Sequence, residues 1–445
     1  MLSPVPERVR ITGIGSELQG VGRLADGRAV FVPGALPGED VEIELTREAK
    51  RFCEARLMRV FAPSPERVNS ACPHAERCGG CAARHMHYEY SLELKRRRVA
   101  DALSRIGGVE VPVVFETIGC AVPERTRNKA EYAVEMRNGK VCAGCFEGGS
   151  RRVLPVRDCL LQREESVRAL NWISGHLGEY TFAPHIRWLV TRVSRAGELT
   201  VVLSGDAPLR DELRGLAAAM ARDLPEMVSI HYCRLKPRPS HALDGSCARV
   251  QGAQTMCDQL LGLNFELSPQ AFFQVNPLQA EALYLKALEA AGIQEGTRVL
   301  DAYCGAGTIT LAAAARGARA IGVEIVVPAI ENAHRNAARN NLSDHARFLC
   351  GDAAREIPRI IASGERFDAA ILDPPRRGAD EALLDALADA AIPHIAYVSC
   401  DPGTLARDAK RMSDRGYRLE WAQPVDMFPW TGHVEAVASM IKICP

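Results

Sequence analysis

The sequence has no surplus of either charge. Its 55 Lys and Arg stand against 55 Asp and Glu in 445 residues, so no overall basic field marks a nucleic-acid binder and any such surface must be local. No apolar run approaches the roughly 18 residues that cross a bilayer. The first ten residues, MLSPVPERVR, place charge and prolines where a secretion signal needs an apolar stretch. These absences predict a cytoplasmic chain. A P-loop lysine and a complete Gly-x-Gly-x-x-Gly are also missing, which disfavours ATP and NAD. There is no internal repeat or low-complexity segment, and the length suits two or three domains. Cysteine, by contrast, is plentiful. Fifteen in so long a chain of intracellular character point to metal ligation or catalysis rather than to a disulfide scaffold.

Residues 8–60 read as five short alternating strands separated by Asp26-Gly27, Pro33-Gly34 and Pro37-Gly38, the pattern of a small closed OB-like barrel. Its segment 46–59 carries Arg47, Lys50, Arg51, Arg56 and Arg59, an edge suited to tracking a phosphate backbone. A helix is predicted over 89–106, stopped by Gly107-Gly108. Between 109 and 265 strands mix with helix, giving an α+β region. From about 270 strand and helix alternate, predicting a doubly wound, mostly parallel α/β sheet. The expected domains are therefore 1–62, 63–265 (its helix 89–106 a candidate to pack on the catalytic part) and 266–445.

In such a sheet, ligands bind beyond the carboxyl ends of the strands. There the chain places Asp301-Ala302-Tyr303-Cys304-Gly305-Ala306-Gly307-Thr308, then Glu324, Asp352 and Asp373-Pro374-Pro375. A glycine turn followed by a carboxylate for a ribose and two further acidic strand ends is the layout of an S-adenosylmethionine-dependent methyltransferase. The fifth strand ends in Val398-Ser399-Cys400-Asp401-Pro402, and Gly432-His433-Val434-Glu435 follows near the C-terminus. A thiolate and a carboxylate are the two groups needed to methylate pyrimidine C5. Thiolate addition at C6 makes C5 nucleophilic, and a base then removes the C5 proton. The spacing Cys72-x5-Cys78-Gly79-Gly80-Cys81 predicts a metal centre lacking one ligand. Spacing alone allows Cys142-x2-Cys145 to supply it, and four thiolates suit zinc as well as a [4Fe–4S] cluster.

These motifs resemble those of the RNA uracil-C5 methyltransferases. The resemblance runs through nearly the whole chain and implies an N-terminal TRAM barrel, a central iron–sulfur domain and a Rossmann-like methyltransferase domain. It makes Cys400 the nucleophile and Glu435 the general base. It assigns Gln274, in Phe272-Phe273-Gln274-Val275-Asn276, to the cofactor S-adenosylmethionine along with Tyr303, Thr308, Glu324, Asp352 and Asp373. Thr308 and Asp352 stand where the family can carry Asn, and both keep a side-chain acceptor. The resemblance also favours a [4Fe–4S] cluster on Cys72, Cys78, Cys81 and, as fourth ligand, Cys159. The implied substrate is a uridine in structured RNA, with 23S ribosomal RNA first and transfer RNA second. The enzyme is expected to act as a monomer without a protein partner or membrane, with Arg125, Arg127, Lys129, Arg151, Arg152 and Arg157 as candidate RNA contacts. Two rivals remain. Asp373-Pro374-Pro375 would serve an RNA N-methyltransferase, though Arg376 follows where an aromatic is expected, and a non-catalytic RNA-binding factor would have no reason to keep both Cys400 and Glu435.

Overall fold

The computed structural model describes residues 6–208 and 211–443. Strands β1 (Glu7–Ile14), β2 (Gly20–Arg23), β3 (Ala29–Val32), β4 (Asp40–Glu48) and β5 (Phe52–Ala62) close into a barrel in the order β1-β2-β3-β5-β4. Alternation drives it: Val9, Ile11, Val30, Val32, Val41 and Ile43 point inward and are buried, while their neighbours face out. Leu18 and Leu36 lie outside that core. They form a second apolar contact with Ala83, Met86 and Leu94, which seats the barrel on helix α1 (Tyr88–Arg105).

The central region holds β6 (Lys129–Arg137), β7 (Lys140–Phe146), β8 (Val153–Pro155), α2 (Glu164–His176), β9 (Ile186–Val193), β10 (Leu199–Gly205), α3 (Arg214–Asp223), β11 (Met227–Leu235) and β12 (Gly245–Gly252). Its seven strands run β12-β11-β10-β9-β6-β7-β8, with β10 and β11 parallel and the other pairs antiparallel. A hairpin, β13 (Met256–Leu260) and β14 (Leu263–Leu267), leads to α4 (Pro277–Ala290), which Asn276 caps.

Then come β15 (Arg298–Ala302), α5 (Thr308–Ala314), β16 (Arg319–Glu324), α6 (Val327–Arg339), β17 (Ala346–Cys350), α7 (Ala353–Ala362), β18 (Ala369–Leu372), α8 (Glu381–Asp389), β19 (His394–Ser399), α9 (Pro402–Asp414), β20 (Tyr417–Val425) and β21 (Glu435–Lys442). The sheet order is β17-β16-β15-β18-β19-β21-β20. The first five strands are parallel, and β21 runs antiparallel to both neighbours. All four residues of β18, Ala-Ala-Ile-Leu, are buried, as a strand covered by helices on both faces requires.

The segment between barrel and central sheet belongs spatially to this layer. Val99 and Leu103 of α1 share a core with Leu405, Ala406 and Met412 of α9. Residues 113–118 extend the free edge of β20, where Phe115 N donates to Ala422 O at 3.0 Å and Ala422 N to Val113 O at 2.8 Å. Among the described residues no helix is long and apolar enough to cross a membrane.

Candidate active site

The pairing of β19 with β21 brings Cys400 and Glu435 together. Ser399 lies opposite Ala436, so Cys400, one residue beyond the strand, falls opposite Glu435, the first residue of β21. Local sequence fixes the turn that carries the thiol. Asp401 caps α9, accepting from Gly403 N at 2.9 Å and Thr404 N at 3.0 Å, and Pro402 opens the helix. Cys400 thus stands just before a helix N-terminus, whose partial positive charge favours a thiolate.

Burial shapes the titration of the site. It raises Asp373 to about 7, and it raises Glu435 to about 8 with a further push from Asp373. Cys400 is also raised, chiefly by burial and then by Glu435, while Arg376 opposes the rise in both Cys400 and Glu435. The loop carrying Arg376 is braced from α9: Ala379 N donates to Asp408 Oδ2 at 2.9 Å, and Arg407 Nη2 to Arg377 O at 3.0 Å.

The candidate cofactor residues gather along the same strand ends. Glu324 accepts from Gly305 N at 3.2 Å and Val326 N at 2.9 Å, which aims its carboxylate at the glycine turn. Gly307 sits there at φ +84°, where a Cβ would lie 2.9 Å from the Phe348 ring, so only glycine fits. Thr308 begins α5, and Gln274 is buried beside α4. Tyr284, overlooked in the sequence, joins them: it is buried on α4 with Thr308 and Gln274 near its hydroxyl, and the charges of Asp373 and Glu435 are felt there. Nothing in its apolar helical setting on α4 marks it out. Two expected contacts have other duties as well. Asp352 caps α7 through Ala354 N, the ordinary role of an acid before a helix. Tyr303 is a left-handed residue at φ +68° that packs against the core holding Leu383 and Leu384 of α8.

Cys72, Cys78, Cys81 and Cys159 line one cavity of about 360 Å³, and Cys145 joins them. Cys145 beside Cys78 draws Cys78 down to about 6, while burial raises Cys81 to about 11. The pair Cys142 and Cys145 does not form a chelate. Three residues apart on β7 they face opposite sides of the strand, and Cys142 is buried against Val153. The metal centre expected from the spacing is not shown: no group of three or more His, Cys, Asp or Glu that could hold a metal ion occurs among the described residues.

Several expected RNA contacts are engaged within the protein. Arg125 pairs with Asp158 at 2.7 Å and reaches the Cys159 and Gln162 carbonyls, so it braces the cavity wall instead of facing solvent alone. On the barrel edge, Arg47 and Arg56 pair with Glu54 and Glu44.

A doubly wound sheet with a glycine turn, an acidic second strand end and a thiol–carboxylate pair defines an S-adenosylmethionine-dependent methyltransferase. The comparisons carry this further. Residues 258–443 match the family model for tRNA (uracil-5-)-methyltransferase, and residues 7–58 match the TRAM domain. The chain is 37% identical to an uncharacterized RNA methyltransferase of Halalkalibacterium halodurans over 93% of its own length and 92% of the relative's. It is equally identical to one from Caldanaerobacter subterraneus, over 97% and 96%. Among solved structures it is similar to the Pyrococcus abyssi tRNA (uracil-54, C5)-methyltransferase in complex with S-adenosyl-L-homocysteine. The TM-score is 0.78 at 26% identity, covering 98% of this chain and all of that one. The chain belongs to the RNA uracil-5-methyltransferase family and is an S-adenosylmethionine-dependent enzyme with an N-terminal TRAM barrel. The N-methyltransferase and non-catalytic readings fall with that membership.

Proposed function

We propose that this enzyme makes 5-methyluridine in a structured RNA through covalent catalysis by Cys400 and Glu435. The observation that carries the reading is their placement opposite each other across β19 and β21, beside Asp373 and Arg376. The target base leaves its stack at a cost of a few kcal/mol. Cys400, its thiolate form favoured by Arg376, adds to C6 and turns C5 into an enolate carbon. S-adenosylmethionine supplies the methyl group as a sulfonium that C5 attacks. Glu435, in its ionised form, then removes the C5 proton, and re-forming the C5–C6 double bond expels the thiolate. Gln274, Tyr303, Thr308, Glu324, Asp352 and Asp373 are assigned to the cofactor, with the Glu324 carboxylate on the ribose hydroxyls.

For the cavity we propose a [4Fe–4S] cluster on Cys72, Cys78, Cys81 and Cys159. Thiols spread around a volume, with Arg84 and Arg127 in the wall to offset negative charge, fit a multi-atom anionic core better than one tetrahedral ion. Its contribution is structural, joining segments 72–81 and 159. Large-subunit (23S) ribosomal RNA is the first target, following the sequence resemblance. Transfer RNA is the second, favoured by the Pyrococcus abyssi enzyme that this chain matches along its length. Mapping 5-methyluridine in both RNAs, with and without the gene, decides between them.

The mechanism is tested with two variants. Cys400→Ala is expected to abolish both methyl transfer and covalent complex. Glu435→Gln is expected to accumulate a denaturation-resistant RNA adduct that carries the labelled methyl group. Normal turnover in Glu435→Gln, or an adduct in Cys400→Ala, would remove the assignment.

A further inference from the structure

Glu435 begins its strand directly after a loop, 426–434, and that loop is held from outside the methyltransferase sheet. Lys95 of α1, fully buried, pairs with the equally buried Asp426, and its ammonium also donates to Phe428 O at 3.0 Å. Tyr88 Oη donates to the other Asp426 oxygen at 2.6 Å. Arg98, one turn further along α1, donates to Gly432 O at 2.6 Å, three residues before Glu435. Ala82 N and Ala83 N, next to Cys81, both donate to Trp430 O, at 2.9 and 3.0 Å. The barrel reaches the same place: a Cβ on Gly432 would lie 3.1 Å from Glu17 Cα and from Ser16 O.

We propose that Lys95 and Arg98 are positioning residues for proton abstraction, using helix α1 to hold the 426–434 loop so that Glu435 meets the C5 proton. The inference rests on Glu435 being the base. Among the described residues the buried Lys95 ammonium is satisfied by Asp426 and the Phe428 carbonyl, so the pair admits one loop geometry where an apolar contact would tolerate several. Arg98 fixes the other end of the loop. Neither residue is among those assigned to the cofactor, and the two steps before proton removal depend on Cys400, which is held by Asp401 and α9 rather than by the 426–434 loop; α1 meets α9 through Val99 and Leu103, which both variants leave in place. The expected defect is therefore confined to the last step.

The test uses full-length Lys95→Met and Arg98→Gln proteins with RNA and radiolabelled S-adenosylmethionine, alongside Glu435→Gln. Four quantities are measured: the dissociation constant for S-adenosylmethionine, the rate of adduct formation, the methylated adduct at steady state, and kcat. The proposal expects kcat to fall by about ten- to a hundredfold, the cost of a misplaced catalytic group. Methylated adduct should rise while cofactor affinity and adduct formation stay at wild-type values. If Lys95→Met does not fold, Arg98→Gln, which removes only the hold on Gly432, carries the test. A uniform loss of cofactor binding, adduct formation and turnover in the folded variants would overturn the proposal in favour of a purely structural role, as would wild-type adduct levels. Should Glu435→Gln itself turn over normally, the base assignment fails instead.

Discussion

Replacing Arg376 by Gln should shift the pH dependence of the reaction toward alkali. As the proposed base Glu435 acts in its ionised form, and burial with Asp373 lifts it to about 8. A raised carboxyl is active above its pKa and loses activity as pH falls through it, so near neutral pH only a minority of the enzyme holds Glu435 ready. Cys400 is displaced in the same direction, chiefly by burial and then by Glu435, and as the proposed nucleophile it too acts when ionised. Arg376 is the charge that opposes both rises. At an effective dielectric of about 20 a unit charge is worth about 2 kcal/mol from about 8 Å, and solvent screens part of that for the exposed Arg376, leaving about one pKa unit. The acid limb of kcat/KM should therefore move up by about one unit in Arg376→Gln. Activity should drop about tenfold near neutrality and return at alkaline pH, where both groups ionise without help. Tritium release from RNA carrying C5-labelled uridine, followed across pH in parallel with methyl transfer, reads this directly. An acid limb that does not move, or one lying at the ordinary carboxylate value of 4.5 in the wild type, would refute the reasoning.

Three further outcomes are expected. Gly307→Ala forces a side chain into a left-handed backbone against Phe348; it should cost about 1 to 3 kcal/mol in denaturant unfolding and weaken S-adenosylmethionine binding by calorimetry. In anaerobically purified protein, Cys159→Ser should lose bound iron and sulfide while Cys145→Ser keeps them; the reverse pattern would move the fourth ligand to Cys145. Deleting residues 1–62 bares the Leu94 and Met86 contact and removes the Glu17 support of Gly432, so kcat should fall together with RNA affinity. A change confined to KM, with a reduced salt slope of about 0.7 to 0.9 per lost phosphate contact, would return the barrel to a simple RNA tether.

Features set by neighbouring residues were legible in the sequence. Alternating apolar positions gave the five barrel strands, the apolar spacing ending at Gly107-Gly108 gave the helix over 89–106, and the alternation of strand and helix from about 270 gave the doubly wound sheet with its glycine turn after β15. These depend on periodicity and capping, which act over a few residues. Asp352 reads either way in sequence, because capping a helix and facing a ligand demand the same short acid at the same place.

Tertiary structure decided what depends on which distant segments meet. The β19–β21 register put Glu435 opposite Cys400, and strand parity on β7 sent Cys145 into the cavity while burying Cys142. Arg125 read as a basic surface residue until Asp158 and two carbonyls were seen to claim it. Tyr284 came beside Thr308 and Gln274 only once α4 packed against the sheet. Lys95 looked like one more charge in Lys-Arg-Arg-Arg, yet α1 turns it inward to Asp426, more than three hundred residues away in the chain. Burial and long-range pairing fixed these positions, and both arise only when the whole chain has closed on its cores.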